Sequence, residues 1–123
     1  MYALIIDDSR TMRLMLRKML EGLGYETLEA ADGLEALQQL ENHPGVRLAL
    51  VDWNMPEMSG YEFVCAVRKN PVFDGVMLMM VTTETEMSQV AKALEAGANE
   101  YVMKPFTKEI IVEKLGLLGM EVG

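Results

Sequence analysis

The stretch Leu48-Ala49-Leu50-Val51-Asp52 consists of four consecutive apolar residues that end directly in an aspartate. A short run without polar positions is typical of a strand that is buried on both faces, as in the centre of a parallel sheet. Helical spacing of apolar residues lies on both sides of this run. The stretch therefore predicts a central strand of an α/β domain.

The same alternation extends along the whole chain. Strands are predicted at 3–6, 27–30, 48–51, 76–81 and 100–103, and helices at 12–23, 32–40, 59–69, 87–96 and 107–115. Asp32 with Glu35 and Ser59 with Glu62 have the spacing of capping boxes, and Gly97 follows the fourth helix. Five strand–helix units in strict alternation predict a doubly wound fold with a five-stranded parallel sheet.

The composition suits one small domain with its own core, spanning residues 1–123. Half of the 123 residues are apolar, and 12 are methionines. Met12, Met15 and Met19 have the spacing of one helix face and are predicted to fill the core. The single cysteine, Cys65, cannot form an internal disulfide, which agrees with a cytoplasmic location.

Charge and hydropathy argue against two classes of partner. The net charge is -8 and no basic cluster is present, so direct binding to nucleic acid is not expected. No apolar run approaches the roughly 20 residues of a membrane span, and the first residues lack the pattern of a secretory signal. We therefore expect no membrane insertion.

Polar residues follow four of the strands at the point where each strand ends. They are Asp7-Asp8, Asp52, Thr82-Thr83 and Lys104-Pro105. The carboxyl ends of parallel strands lie at one edge of the sheet, where ligands bind in this fold class. A lone Asp8 could merely cap a helix, and a lone Lys104 would be a solvated charge. The joint arrangement favours a site.

The chemistry of this set points to a metal and a phosphoryl group. Three neighbouring carboxylates repel one another unless a cation compensates. Oxygen ligands in small number suit Mg²⁺, whereas zinc is disfavoured because Cys65 and His43 fall elsewhere in the pattern. A cation, an ammonium and a hydroxyl together can hold a phosphoryl group, and Asp52 is the best-placed carboxylate nucleophile.

At this level of detail the chain resembles the receiver domains of two-component response regulators, of the CheY-like, stand-alone chemotaxis type. The resemblance covers nearly the whole chain. It is carried by residues 6–9, 32–33, 51–56, 59–60, 81–84, 96–98 and 101–106.

The resemblance implies the flavodoxin-like (βα)5 fold with strand order 2-1-3-4-5. It implies that Asp52 receives a phosphoryl group from a phosphohistidine of a sensor histidine kinase. Mg²⁺ would be held by Asp8, Asp52 and the backbone carbonyl of Asn54, with Asp7 contributing directly or through water. Lys104 would pair with a phosphoryl oxygen, and its bond to Pro105 would be cis.

The family also implies a switch. Thr82 would bond the phosphoryl group, and Tyr101 would turn towards the interior. A downstream protein would then bind the face built from the fourth helix, the fifth strand and the fifth helix. Thr83, a position that is often small in this family, would narrow access to the acceptor, and Asn54 and Glu84 would tune the phosphoryl lifetime.

Other functions of the same fold class fit less well. A haloacid dehalogenase-type phosphohydrolase needs an aspartate where Asn54 stands, and a flavodoxin needs a hydroxyl- and glycine-rich loop where Asp7-Asp8 stands. We therefore expect a binding and switching module without an external substrate. Its output remains open between a stand-alone regulator (with the flagellar motor switch as one possible target), a phosphate sink or relay, and a piece of a longer regulator.

Overall fold

Five parallel strands form one sheet in the order β2-β1-β3-β4-β5. The computed structural model describes residues 1–120, with the backbone alone at residues 84, 85 and 87. The strands are β1 (Tyr2–Ile6), β2 (Glu26–Ala30), β3 (Val46–Asp52), β4 (Met77–Thr82) and β5 (Glu100–Met103). The predicted doubly wound fold and its strand order are confirmed.

Five α-helices connect and flank the strands. They are α1 (Arg10–Gly22), α2 (Gly33–Asn42), α3 (Gly60–Arg68), α4 (Val90–Ala96) and α5 (Lys108–Leu117). Two short 3-10 segments, Pro71–Phe73 and Glu84–Gln89, precede β4 and α4. The prediction of one helix over 87–96 was therefore wrong at its start. Met87 is the one apolar residue of this segment, so apolar spacing within it cannot distinguish three residues per turn from about 3.6.

Side-chain caps fix the starts of four helices. Ser9, Asp32, Ser59 and Thr107 each accept a hydrogen bond from the backbone N–H three residues further on. At Ser59 the reciprocal bond of the capping box also forms. Such caps satisfy N–H groups that have no partner within the helix. Because Ser9 is the cap of α1, Asp8 remains available for another role.

The core consists of two apolar layers, one on each face of the sheet. Side chains of α2, α3 and α4 pack on one face, and side chains of α1 and α5 pack on the other. Residues of one strand alternate between the layers: Val51 belongs to the first layer and Leu50 to the second. This alternation explains why β3 is apolar at each of the four positions 48–51.

The methionines only partly follow the prediction. Met79 and Met80 are fully buried, and Met12 and Met19 pack against the second layer. Met15, however, is 40% exposed, because it lies one position, about 100° around the helix, from the buried Leu16.

The sheet also determines where polar groups can gather. Strands β1, β3, β4 and β5 all end at the same edge, and their C-terminal loops meet there. Among residues 1–120, no helix is long and apolar enough to cross a membrane.

Candidate phosphoacceptor and metal site

Three aspartates meet at the C-terminal edge of the sheet. Asp7 and Asp8 follow β1, and Asp52 is the last residue of β3. One carboxylate oxygen from each lies within 4.8 Å of those from the other two. The structure thus brings together the three carboxylates that the strand-end pattern singles out.

Backbone and side-chain bonds hold the loop after β1 in place. The Asp7 N–H donates to the carbonyl of Ala30 at 3.1 Å, and the Ser9 N–H donates to Asp7 Oδ1 at 2.8 Å. Arg13 Nη1 donates to the Asp7 carbonyl at 2.6 Å, and its Nε pairs with Glu29 at 3.1 Å. Arg13 was not predicted, because nothing in a helical arginine indicates a backbone partner on the preceding loop.

Lys104 places its ammonium group between two of the carboxylates. Its Nζ lies 3.5 Å from Asp52 Oδ1 and 3.9 Å from Asp7 Oδ2. The peptide bond between Lys104 and Pro105 is cis, as predicted, and the Lys104 N–H donates to the Thr82 carbonyl at 2.7 Å. Lys104 is therefore anchored to β4 while its side chain reaches β3.

Close packing of α3 fixes the end of β3, where Asp52 lies. The Gly60 N–H donates to the Trp53 carbonyl at 3.0 Å. A Cβ at Gly60 would lie 2.5 Å from the backbone oxygen of Asp52 and 3.1 Å from the Trp53 Cα. Glycine is thus required by the close approach of two backbone segments.

Burial makes these carboxylates difficult to ionise. Asp52 is only 7% exposed, and burial, followed by the negative charge of Asp7, raises its pKa to about 6. Lys104 opposes this shift without cancelling it. The pKa of Asp7 is also raised, mainly by burial. The site therefore has more negative charge than Lys104 can compensate.

The donor atoms fit a hard divalent cation. Asp7 Oδ2 is buried and accepts no hydrogen bond within the part of the chain that the structure describes. Its distance of 3.9 Å from Lys104 Nζ is too long for one. A buried carboxylate oxygen without a partner is costly, and the three side chains offer oxygen donors only. This set suits Mg²⁺, in agreement with the sequence-based expectation.

Thr82 and Glu86 form a second group next to the aspartates. Thr82 is fully buried, and its hydroxyl lies 3.3 Å from both the Thr83 carbonyl and Glu86 Oε1. The Thr83 N–H donates to the same Glu86 oxygen at 2.9 Å, and the Asn54 side-chain amide donates to Glu86 Oε2.

Glu86 was not predicted from the sequence. The pattern singles out Glu84 instead, whose side chain lies outside the described residues. The available signal was a second acidic residue four positions after Thr82. Only the 3-10 turn of Glu84–Gln89 determines that this one faces the site.

Tyr101 is half-buried on β5, beside the site rather than in it. Its ring packs against the first core layer, and Lys114 Nζ lies 4.4 Å from the ring centroid. Neither Cys65 nor His43 belongs to the group of aspartates. Cys65 lies on α3, and the ring centroid of His43, which follows α2, is 6.3 Å from that of Tyr2.

A cavity of about 290 Å³ opens at the opposite edge of the sheet. Its lining includes His43, Arg47, Phe73 and Val76, and none of the predicted site residues whose side chains the structure describes. Its lining residues therefore take no part in the chemistry of the aspartate cluster.

Comparison with known proteins points to one family. Residues 3–116 match the family model of the response regulator receiver domain. The chain is 43% identical over 116 residues to the chemotaxis protein CheY1 of Helicobacter pylori, covering 94% of each chain. It is also 43% identical to the chemotaxis protein CheY homolog of Campylobacter jejuni, covering 94% of this chain and 89% of that one.

Solved structures similar to this chain agree with this family. The chemotaxis protein CheY4 of Vibrio cholerae has a TM-score of 0.86 at 35% identity, covering 94% of this chain and 96% of that one. A CheY-like receiver domain protein of Methanospirillum hungatei has a TM-score of 0.85 at 32% identity, with coverages of 95% and 91%.

Proposed function

Because this chain belongs to the response regulator receiver family, we propose that Asp52 accepts a phosphoryl group from a phosphohistidine of a sensor histidine kinase. The observation that carries the proposal is the position of Asp52. It is buried, clustered with Asp7 and Asp8, and paired with Lys104 at 3.5 Å. Together these groups provide a nucleophile, a cation site and a fixed positive charge.

The transfer itself requires little beyond positioning. A carboxylate oxygen of Asp52 attacks phosphorus, the phosphorus–nitrogen bond breaks, and the imidazole leaves with the bonding electrons. Since the pKa of Asp52 is about 6, most of the carboxylate is ionised at pH 7 and can act as the nucleophile. Lys104 then pairs with an oxygen of the new phosphoryl group.

Mg²⁺ would be held by Asp7, Asp8, Asp52 and the backbone carbonyl of Asn54. When bound, it supplies positive charge that offsets the carboxylates and the phosphoryl oxygens. Asp7 Oδ2, which has no hydrogen-bond partner among the described residues, supports this assignment. Asn54 has no acidic proton, which argues against turnover of an external phosphate ester.

The signal would reach a partner through the switch residues. The Thr82 hydroxyl turns to a phosphoryl oxygen, and Tyr101 moves from its half-buried position into the interior. The output face consists of α4, β5 and α5. Its partly exposed Leu94, Met103 and Ile110 support binding of a protein.

Relatives described as chemotaxis proteins support an output of the same kind. In this proposal the chain acts in the cytoplasm, where a kinase phosphorylates it and a target protein reads the phosphorylated state. Thr83 and Glu84, which flank Thr82 in sequence, would set how long that state lasts.

The experiment that tests this function uses Trp53, the only tryptophan, which adjoins Asp52. Mg²⁺ is titrated first, acetyl phosphate is added next, and fluorescence and intact mass are followed. We expect a saturable Mg²⁺ response and a covalent gain of one phosphoryl mass. Asp52→Asn should abolish the mass gain, whereas the control Asp74→Asn, an exposed residue just before β4, should keep it. Absence of an adduct on the wild type would refute the proposal.

A further inference from the structure

Glu86 is a buried carboxylate for which the phosphoacceptor chemistry provides no role. The buried polar or charged residues in the described part of the chain are Asp7, Asp52, Thr82 and Glu86. The first three belong to the proposed site, and Glu86 directly contacts Thr82. A buried carboxylate is stable only when its oxygens are well bonded, so the partners of Glu86 indicate what it does.

Both oxygens of Glu86 bind groups at the end of a strand. Oε1 accepts the Thr83 N–H at 2.9 Å and lies 3.3 Å from the Thr82 hydroxyl, while Oε2 accepts the side-chain amide of Asn54. Thr82 and Thr83 stand at the end of β4, and Asn54 follows β3. Glu86 therefore links the loop beside the acceptor to the end of β4, which carries the switch hydroxyl.

These bonds compete with the bond that activation needs. The Thr82 hydroxyl has one proton, and its two acceptors within 3.3 Å are the Thr83 carbonyl and Glu86 Oε1. A phosphoryl oxygen on Asp52 can accept that proton only after these acceptors have lost it. The two acceptors lie at the same distance of 3.3 Å, and the carboxylate group is the more strongly accepting of the two types.

From this arrangement we propose that Glu86 is a positioning residue that holds Thr82, and with it the start of α4, in the unphosphorylated conformation. The proposal rests on the proposed function of Asp52. Phosphorylation must displace Glu86 from Thr82, and the negative charge of the phosphoryl group opposes the return of the carboxylate.

The position of Glu86 in the chain connects this step to the output face. Glu86 lies in the 3-10 segment Glu84–Gln89, which leads directly into α4. At the start of α4, Gln89 makes no side-chain cap bond. The hydrogen bonds of Glu86 thus hold the segment that precedes α4 against the site. Their loss frees a segment that borders the α4–β5–α5 face.

The test uses beryllofluoride, a stable substitute for the phosphoryl group. Its binding at saturating Mg²⁺ is measured by Trp53 fluorescence. Glu86→Ala should lower the beryllofluoride midpoint roughly threefold to tenfold, since a competing charge-assisted bond is lost. The beryllofluoride midpoint of Glu86→Gln should lie between those of the wild type and Glu86→Ala, because the neutral amide oxygen accepts a hydrogen bond more weakly than a carboxylate. The control Glu113→Gln, which removes the same charge from an exposed position, should match the wild type.

A double mutant tests whether Glu86 acts through Thr82. In the Thr82→Ala background, Glu86→Ala should not lower the beryllofluoride midpoint further, because the hydroxyl for which Glu86 competes has already been removed. The proposal is overturned if Glu86→Ala lowers the midpoint equally with Thr82 present and with Thr82→Ala. It is also overturned if Glu86→Ala alone raises the midpoint. General damage to the fold would weaken binding, so a tighter midpoint cannot result from it.

Hydrogen exchange gives a readout that does not involve phosphoryl chemistry. The Thr83 amide, which donates to Glu86, should exchange at least roughly tenfold faster in Glu86→Ala. Unchanged exchange, with an intact Asp52-dependent response to beryllofluoride, refutes the role of Glu86 and leaves the phosphoacceptor proposal standing. A wild type without any Asp52-dependent response instead refutes the phosphoacceptor function, and the role of Glu86 with it.

Discussion

Replacing Asp52 by asparagine should stabilise the metal-free protein, although it removes the proposed phosphoacceptor. Burial and the charge of Asp7 raise the pKa of Asp52 from its ordinary 3.8 to about 6. The folded state therefore binds the Asp52 proton more tightly than the unfolded state does. Ionising this side chain at neutral pH costs folding free energy, and asparagine has no charge to ionise.

The pKa difference gives both the sign and the size of the effect. Well below the ordinary pKa of 3.8 both states are protonated, and Asp52 carries no penalty. Stability is then lost as the pH rises towards the folded pKa of about 6. At about 1.36 kcal/mol per pKa unit, the penalty reaches about 3 kcal/mol at pH 7 and about half of that at pH 5. Asp52→Asn should recover amounts of this order.

Urea denaturation followed by circular dichroism, in the presence of a metal chelator, measures this difference. The gain of Asp52→Asn over the wild type should be about twice as large at pH 7 as at pH 5. Adding Mg²⁺ should narrow the gap at pH 7, because a bound cation stabilises the wild type. The exposed Asp74→Asn variant should show no such gain. An asparagine variant no more stable than the wild type at pH 7, or an equal gain at both pH values, would refute the reasoning.

Three further outcomes follow from the same geometry. The Mg²⁺ midpoint, followed by fluorescence, should rise about tenfold between pH 7 and pH 5, because protonated Asp52 cannot ligate; a constant midpoint contradicts this. Thr83→Ala should shorten the phosphoryl lifetime, measured by decay of the mass adduct, since a smaller side chain admits water; equal lifetimes contradict it. Gly60→Ala should lower the unfolding free energy by about 2 kcal/mol, because its Cβ would lie 2.5 Å from a backbone oxygen. Gly116→Ala, whose added Cβ would have no atom of the described residues within 4 Å, should not be destabilised.

The sequence was sufficient to predict the parallel sheet and the clustering of the three aspartates at one edge of it. A strand such as β3, apolar on both faces, has few alternatives to the centre of a parallel sheet. Once the strands are parallel, the residues that follow them must share an edge. Asp7, Asp8, Asp52 and Lys104 thus come together through topology, without any knowledge of side-chain conformation.

Features that depend on local conformation could not be predicted in this way. The sequence does not single out Glu86, and its contact with Thr82 depends on the 3-10 turns of residues 84–89. The role of Arg13 could not be predicted for the same reason, since its bond to the Asp7 carbonyl depends on how α1 packs against the loop after β1. Free-energy differences between such local alternatives are small, and tertiary contacts decide them.

Burial explains why one site can be both a liability for folding and a sensitive switch. Asp7 and Asp52 lie where water contributes little screening, so each charge added or removed there changes the free energy by kilocalories. Two apolar layers hold the strand ends in place, and the repulsion cannot relax by simple exposure. Compensation must come from a cation, or from movement of nearby groups such as Thr82 and Glu86. In the proposed function, an added phosphoryl charge would act on the same groups, and its effect would extend beyond Asp52 to the segment that precedes α4.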